Sequence, residues 1–415
     1  MNSIRVIPPC FCGLQIRASE GKIVLAKVLV NAKEFHLAAS FTDTNCASPS
    51  AIASATSKLL QKRLIRKIWR TELSTYRSER RRVYIAYTGG TIGMTNTGEG
   101  YAPAPGFLET RLREMPELRD AAMPEIVLHE YTPLLDSSNM TPREWFTIAR
   151  DIFENYDAFD GFVVLHGTDT MAYTASALPF LLQGLTKPVI LTGSQIPLVE
   201  LRNDARENLI TALLIAANQP LPEVCLYFGD KLLRGCRTVK VNALGFGAFE
   251  SPNYPPLGTV GIDIQIDWSV VRAAPLRALE MPRAELNATV AALRLFPGIS
   301  AELLRNVLQT PLQGLVLETY GAGNAPNRDR ALLNTLAEAT QRGAVIVDCT
   351  QCLRGAVKLN AYATGAALLE AGVISGADMT PIAALTKLHY LIGSGYASEQ
   401  VRALMQQNLS GEVTL

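Results

Sequence analysis

From Val83 onward the chain alternates between short apolar, β-rich runs and longer stretches with helical spacing, and this alternation limits the fold more than any other feature. Strands are predicted at Val83–Tyr87, Ile126–Leu128, Gly161–Leu165, Val189–Thr192 and Val224–Phe228, with helices near Pro142–Tyr156, Ala172–Leu182 and Ala205–Asn218. A strand that is apolar at successive positions, rather than at every second one, is buried on both faces. A parallel sheet covered by helices on either side provides that environment. The stretch Trp268–Leu286 contains two prolines, Pro275 and Pro282, and no strong pattern, so it reads as a linker. Strands then resume at Thr289–Leu295, Gly314–Thr319 and Val345–Asp348, with helices near Ala301–Leu308, Arg330–Arg342, Pro381–Ile392 and Glu399–Asn408. The expectation is an α/β chain: a larger N-terminal parallel-sheet domain over 83–267, a linker over 268–287, and a smaller C-terminal α/β domain over 288–415. In such open sheets ligands bind beyond the carboxyl ends of the strands.

What precedes Val83 is different in kind. The near-neutral total of 39 Lys+Arg against 38 Asp+Glu hides an asymmetry, because residues 1–82 hold 15 of the basic and only 5 of the acidic residues. Apart from a short apolar stretch at Ile23–Val30 and a basic helical patch at Leu59–Trp69, with Lys62, Arg63, Arg66 and Lys67, this leader has no sustained periodicity. It carries no aromatic platform or nucleic-acid motif, so it reads as a poorly ordered tail or as sequence upstream of a true start. No secretory signal opens the chain, and no run of about 18 apolar residues occurs, so the expectation is a cytoplasmic protein without membrane or nucleic-acid partners. With 48% hydrophobic residues the chain has enough apolar material for sizeable cores, which excludes a largely disordered or collagen-like class. Cys349 and Cys352 form a C-x-x-C without a second one, and the chain has only four His. These cysteines read as thiols beside a strand, and no metal is expected.

Three loops carry candidate chemistry. Thr88-Gly89-Gly90-Thr91-Ile92-Gly93 leaves the first strand, but it lacks the glycine spacing of a dinucleotide fingerprint, and no phosphate-binding P-loop occurs elsewhere. What remains is a pair of hydroxyls around glycines that allow close approach to the backbone. Leu165-His166-Gly167-Thr168-Asp169-Thr170-Met171 leaves another strand; Asp169 there fits either an ammonium site or a helix cap. Lys240 ends Arg237-Thr238-Val239-Lys240. Lone lysines are mostly solvated, yet a lysine folded against Thr168 and Asp169 would complete a proton-handling group, since threonine is a weak nucleophile until its proton is taken. There is no G-x-S-x-G elbow and no H-E-x-x-H, so a hydrolase built on this chain works through threonine.

The segments Tyr87–Met94 (Y-T-G-G-T-I-G-M), His129–Met140 (H-E-Y-T-P-L-L-D-S-S-N-M), Gly161–Ala175, Thr192–Pro197 (T-G-S-Q-I-P), Tyr320–Pro326 (Y-G-A-G-N-A-P) and Thr386–Leu391 (T-K-L-H-Y-L) closely resemble type I bacterial L-asparaginases of the asparaginase/glutaminase family. The resemblance runs from about Arg82 to Leu415. It implies hydrolysis of L-asparagine to L-aspartate and ammonia without a cofactor, by a cytoplasmic homodimer or homotetramer. By resemblance, Thr91 is the nucleophile, Tyr101 assists it from a flexible loop, and Thr168, Asp169 and Lys240 form a second catalytic group. Asp169 also holds the substrate ammonium, Ser137 the carboxylate, with Ser138 and Asn324 as further substrate contacts. The backbone at Gly90 and Gly167 lines the oxyanion position. Two positions depart from the family pattern. Asn139 stands where an Asp is usual, which implies weaker substrate binding, and Glu318 stands where an Arg belongs to an effector pocket, which implies no cooperative regulation. The competing readings are an amidotransferase subunit acting on misacylated tRNA and a non-catalytic amino-acid sensor.

Overall fold

The computed structural model describes residues 27–29, 38–40, 80–98, 100–281, 287–360 and 363–414. In the leader, β1 (Lys27–Leu29) pairs antiparallel with β2 (Ala38–Ser40), the former inside the expected apolar stretch. The basic patch at Leu59–Trp69 lies outside the described residues. A separate compact unit begins at Arg80.

That unit opens with β3 (Arg82–Gly89), the hairpin β4 (Met94–Asn96) and β5 (Tyr101–Pro103), helix α1 (Phe107–Glu114) and the long strand β6 (Glu125–Leu135). Helix α2 (Pro142–Glu154) follows, with Thr141 as its cap, Pro142 in the first turn, and Glu144 reaching back to the Thr141 N–H at 2.8 Å. Such a start satisfies backbone donors that a helix leaves unpaired. Then come β7 (Gly161–Leu165), α3 (Met171–Leu181), β8 (Val189–Thr192), α4 (Ala205–Asn218), β9 (Val224–Phe228), β10 (Lys231–Arg234), β11 (Val239–Lys240), β12 (Phe249–Glu250), β13 (Gly258–Val260) and β14 (Ile264–Ile266).

Eight of these strands form one sheet in the order β14-β13-β10-β9-β8-β7-β3-β6. The strands from β9 to β6 are parallel, as the continuous apolar runs predict, and the β10, β13 and β14 edge is antiparallel. Successive side chains of β3 go to opposite faces: Tyr84 and Ala86 join a core with α2 and α3, while Val83, Ile85 and Tyr87 join one with α1 and α4. Both faces are therefore dry, which is why β3 and β7 show no polar alternation.

A second, smaller sheet is parallel throughout: β15 (Val290–Arg294), β16 (Gly314–Thr319), β17 (Val345–Thr350) and β18 (Ile374–Ser375), in that order. Helices α5 (Ala301–Val307) and α6 (Arg330–Gln341) cover one face, together with α7 (Ala363–Glu370). The other face packs on α8 (Pro381–Gly393) and α9 (Ser398–Met405). Phe180 of α3 stacks on Tyr390 of α8 at 6.0 Å, joining the helical layers of the two sheets. No helix among the described residues is long and apolar enough to cross a membrane.

Candidate active site

The carboxyl ends of β3 and β7 lie side by side, with Tyr87 opposite Leu165. Just beyond, the Thr88 hydroxyl donates to the Leu165 carbonyl at 3.0 Å, and Gly89 and Gly90 turn the chain with φ of 125° and 90°. A Cβ on Gly90 would stand 2.4 Å from the Gly167 nitrogen and 2.5 Å from its Cα. The two loops therefore meet backbone against backbone, an approach no side chain permits. Thr91 follows in a short 3-10 turn and is half-buried.

His166 locks the facing loop. Its side chain is fully buried, with Nδ1 2.7 Å from the Gly167 carbonyl and Nε2 2.9 Å from the Thr174 hydroxyl. A carbonyl only accepts, so Nδ1 carries the proton and Nε2 accepts from Thr174. Burial pushes this imidazole down to about 4, which keeps it neutral and the tautomer fixed. Ser137, at the turn after β6, is buried against the same loop: Thr170 donates to the Ser137 carbonyl at 2.6 Å, and a Cβ on Gly167 would meet the Ser137 hydroxyl at 2.5 Å. Ser138 and Asn139 are exposed on that turn.

Lys240 reaches this loop from β11. Its Nζ donates to the Thr168 hydroxyl at 2.9 Å and to Asp169 Oδ1 at 2.8 Å. The lysine side chain is 19% exposed and the aspartate 65%, so a largely buried cation holds a carboxylate that still faces solvent. The three residues that sequence spacing alone left unconnected form one contact group.

A fourth member, Gln195, has no role in the sequence reading, although it stands within T-G-S-Q-I-P after β8. Its Nε2 donates to the carbonyls of Ala243 and Gly245, at 3.2 and 3.1 Å, which turns Oε1 toward Thr168. The Thr168 hydroxyl donates to that oxygen at 3.2 Å. Thr168 thus receives a hydrogen bond from Lys240 and gives its own proton to Gln195. For the lysine to take that proton, it must first lose one and the hydroxyl must rotate. Glutamine has no acid–base chemistry to flag it in a sequence; only the two backbone carbonyls reveal its orienting part.

Two expected residues sit elsewhere. Tyr101 is 46% exposed, and its hydroxyl donates to Glu200 at 2.5 Å, an interaction that raises the phenol's pKa. The Glu200 loop is itself tied to the Thr91 turn, since Leu198 N–H donates to the Ile92 carbonyl at 3.2 Å. Asn324 follows β16 in the smaller sheet; its backbone bonds to Tyr320 and its side chain accepts from Thr364, none of these being a partner on the Thr91, Thr168 or Lys240 loops. Glu318 lies on β16 opposite Arg294, with burial holding its carboxyl above the ordinary range.

Known proteins resemble the chain over most of its length from Arg82 onward. The family model described as "Asparaginase, N-terminal" matches residues 82–272, and "Glutaminase/Asparaginase C-terminal domain" matches residues 289–405. The chain is 51% identical over 344 residues to L-asparaginase 1 of Escherichia coli K12, spanning 81% of this chain and 99% of that protein. The structure of L-asparaginase I from Vibrio cholerae superposes with a TM-score of 0.75 at 49% identity, covering 81% of this chain and all of that one. The thermostable L-asparaginase of Thermococcus kodakarensis gives a TM-score of 0.74 at 38% identity, over 80% and 99% of the two chains.

Proposed function

The chain belongs to the asparaginase/glutaminase family, and from that premise we propose that it hydrolyses L-asparagine to L-aspartate and ammonia in the cytoplasm, as a homodimer or homotetramer. Asp169 meets the substrate's α-ammonium with the carboxylate face that Lys240 leaves open. Ser137 and nearby backbone N–H groups take the α-carboxylate. The side-chain amide then lies between the Gly90–Thr91 turn and Gly167–Thr168.

Thr91 attacks the amide carbon, its proton passing to a base as the C–O bond forms. Tyr101 serves the nucleophile once its hairpin closes and the hydroxyl leaves Glu200. Backbone N–H groups at the paired glycine loops stabilise the oxyanion, the kind of fixed dipole that contributes most when water is excluded. Proton delivery to the leaving nitrogen releases ammonia and leaves a β-aspartyl ester on Thr91. Water activated by the Thr168–Lys240–Asp169 group then cleaves that ester and regenerates the hydroxyl.

The observation that supports this reading is the contact of Lys240 with both Thr168 and Asp169, beside a loop whose backbone abuts the Thr91 turn. The purified protein is expected to release ammonia from free asparagine, with Thr91→Ala reducing kcat at least a thousandfold. Asparagine binding without ammonia release by the unmodified protein would instead indicate a sensor.

A further inference from the structure

The strand that carries Lys240 is anchored by the far end of the chain. Arg237, three residues before Lys240, is 1% exposed and spends its whole fork on other segments. Its Nε donates to the Gly411 carbonyl at 2.7 Å, one Nη to Asp378 Oδ2 at 2.8 Å and the other to the Thr414 hydroxyl at 3.0 Å. Asp378 closes the ring by accepting the Thr414 N–H on Oδ1 at 2.8 Å. The neighbouring Cys236 thiol lies 3.5 Å from the Ser410 carbonyl.

The tail that receives this arginine has a fixed shape of its own. Glu412 is fully buried and accepts from the backbone N–H groups of Leu409 and Ser410, at 3.0 and 2.7 Å, while pairing with the equally buried Lys387 at 2.6 Å. Gly411 has φ of 91° and packs so closely on Arg234 that a Cβ would stand 2.9 Å from its side chain. Arg234 is in turn held by Glu223. A buried guanidinium with every partner in place resists displacement, because a shift strands charge away from water. From Arg237 the chain passes through Thr238, whose hydroxyl is bound to the Arg234 carbonyl at 2.8 Å, directly into β11.

We propose that Arg237 is a positioning residue and that residues 408–414 are the clamp in which it sits, together setting where Lys240 Nζ meets Thr168 and Asp169. The inference rests on the reading that Lys240 takes part in asparagine hydrolysis. Both Arg237→Lys, which keeps the charge but loses the fork, and the milder Thr414→Val, at an exposed position, test it in the full chain. In each, kcat for asparagine is expected to fall, about tenfold and about threefold respectively, with KM within twofold and a shifted basic limb of the kcat–pH profile.

A readout independent of turnover is acylation of Lys240 by acetic anhydride, followed by peptide mass spectrometry; its rate should rise about fivefold in Arg237→Lys. A lowered melting temperature with unchanged kcat, pH profile and Lys240 acylation rate would make the clamp merely structural and overturn the proposal. Faster acylation in the variants, combined with an unmodified protein that releases no ammonia, would instead sustain the clamp and remove the asparaginase reading.

Discussion

Asp169 divides its one carboxylate: Oδ1 accepts from Lys240, and two-thirds of the side chain faces solvent, the part proposed above to meet a ligand ammonium. Asn139 bears on that proposed contact. It is exposed on the same short turn as Ser137, where, with the substrate placed beside that turn as proposed, an aspartate would add a second anion. Exposed charge pairs contribute at most about 1 kcal/mol. Asn139→Asp should thus lower KM for asparagine roughly two- to fivefold and leave kcat unchanged; steady-state kinetics showing no lower KM would refute it. The loops with Thr91, Thr168 and Asp169 were legible as candidates by residue type and place after strands, while Lys240 stood out only as a partner for them and the roles came from the family resemblance. Gln195 and Arg237 were not legible, because each acts only through backbone carbonyls and side chains remote in sequence.

Among elements, the strands buried on both faces were the readable ones. β7 and β9 are buried along their whole length and coincide with the predicted runs. β6 is partly exposed over eleven residues and contains Pro133, so only its apolar beginning gave a strand signal. β13 and β14 have three residues each and mixed polarity, too little pattern to detect the antiparallel edge. What the elements do for the site is bring two loop backbones into contact, and Gly90 is the position where that contact leaves no slack. An alanine there must hold φ near 90° and also displace the Gly167 backbone. Left-handed strain alone costs about 1–3 kcal/mol, and the clash adds to it. Gly90→Ala should therefore lower the melting temperature and reduce kcat at least a hundredfold. A variant with unaltered melting and turnover would show that the two loops do not need their observed approach.

Across the whole molecule, three ionisable groups in different layers, His166 and Asp348 buried and His389 half-buried, tie stability to pH. Burial pushes His166, beside the larger sheet, and His389, on α8 against Trp145, down to about 4. Burial pushes Asp348 on β17 up to about 7, although the Thr319 hydroxyl donates to Oδ1 at 2.7 Å; Oδ2 has no partner among the described residues. The signs oppose. Each histidine binds a proton in the unfolded chain below about 6.5 and in the folded one only near 4, so its contribution is lost as pH falls through that window. Asp348 is protonated when folded and ionised when unfolded between about 4 and 7, so its contribution is lost as pH rises. Between pH 5 and 6, unfolding then takes up roughly two protons at the histidines and releases roughly one from Asp348. These three groups by themselves give a net uptake of about one proton, a rise in stability of about 1.4 kcal/mol per pH unit, against which the raised Glu318 carboxyl also works. Asp348→Asn removes the opposing group, so the slope should approach twice that value, and the variant should be the more stable protein at pH 8, where the native carboxylate is ionised without a partner for Oδ2. Urea unfolding followed from pH 5 to 8 checks both statements. Equal slopes in the two proteins would mean that Asp348 keeps an ordinary carboxylate pKa in the folded state, and that the smaller sheet takes no part in the linkage.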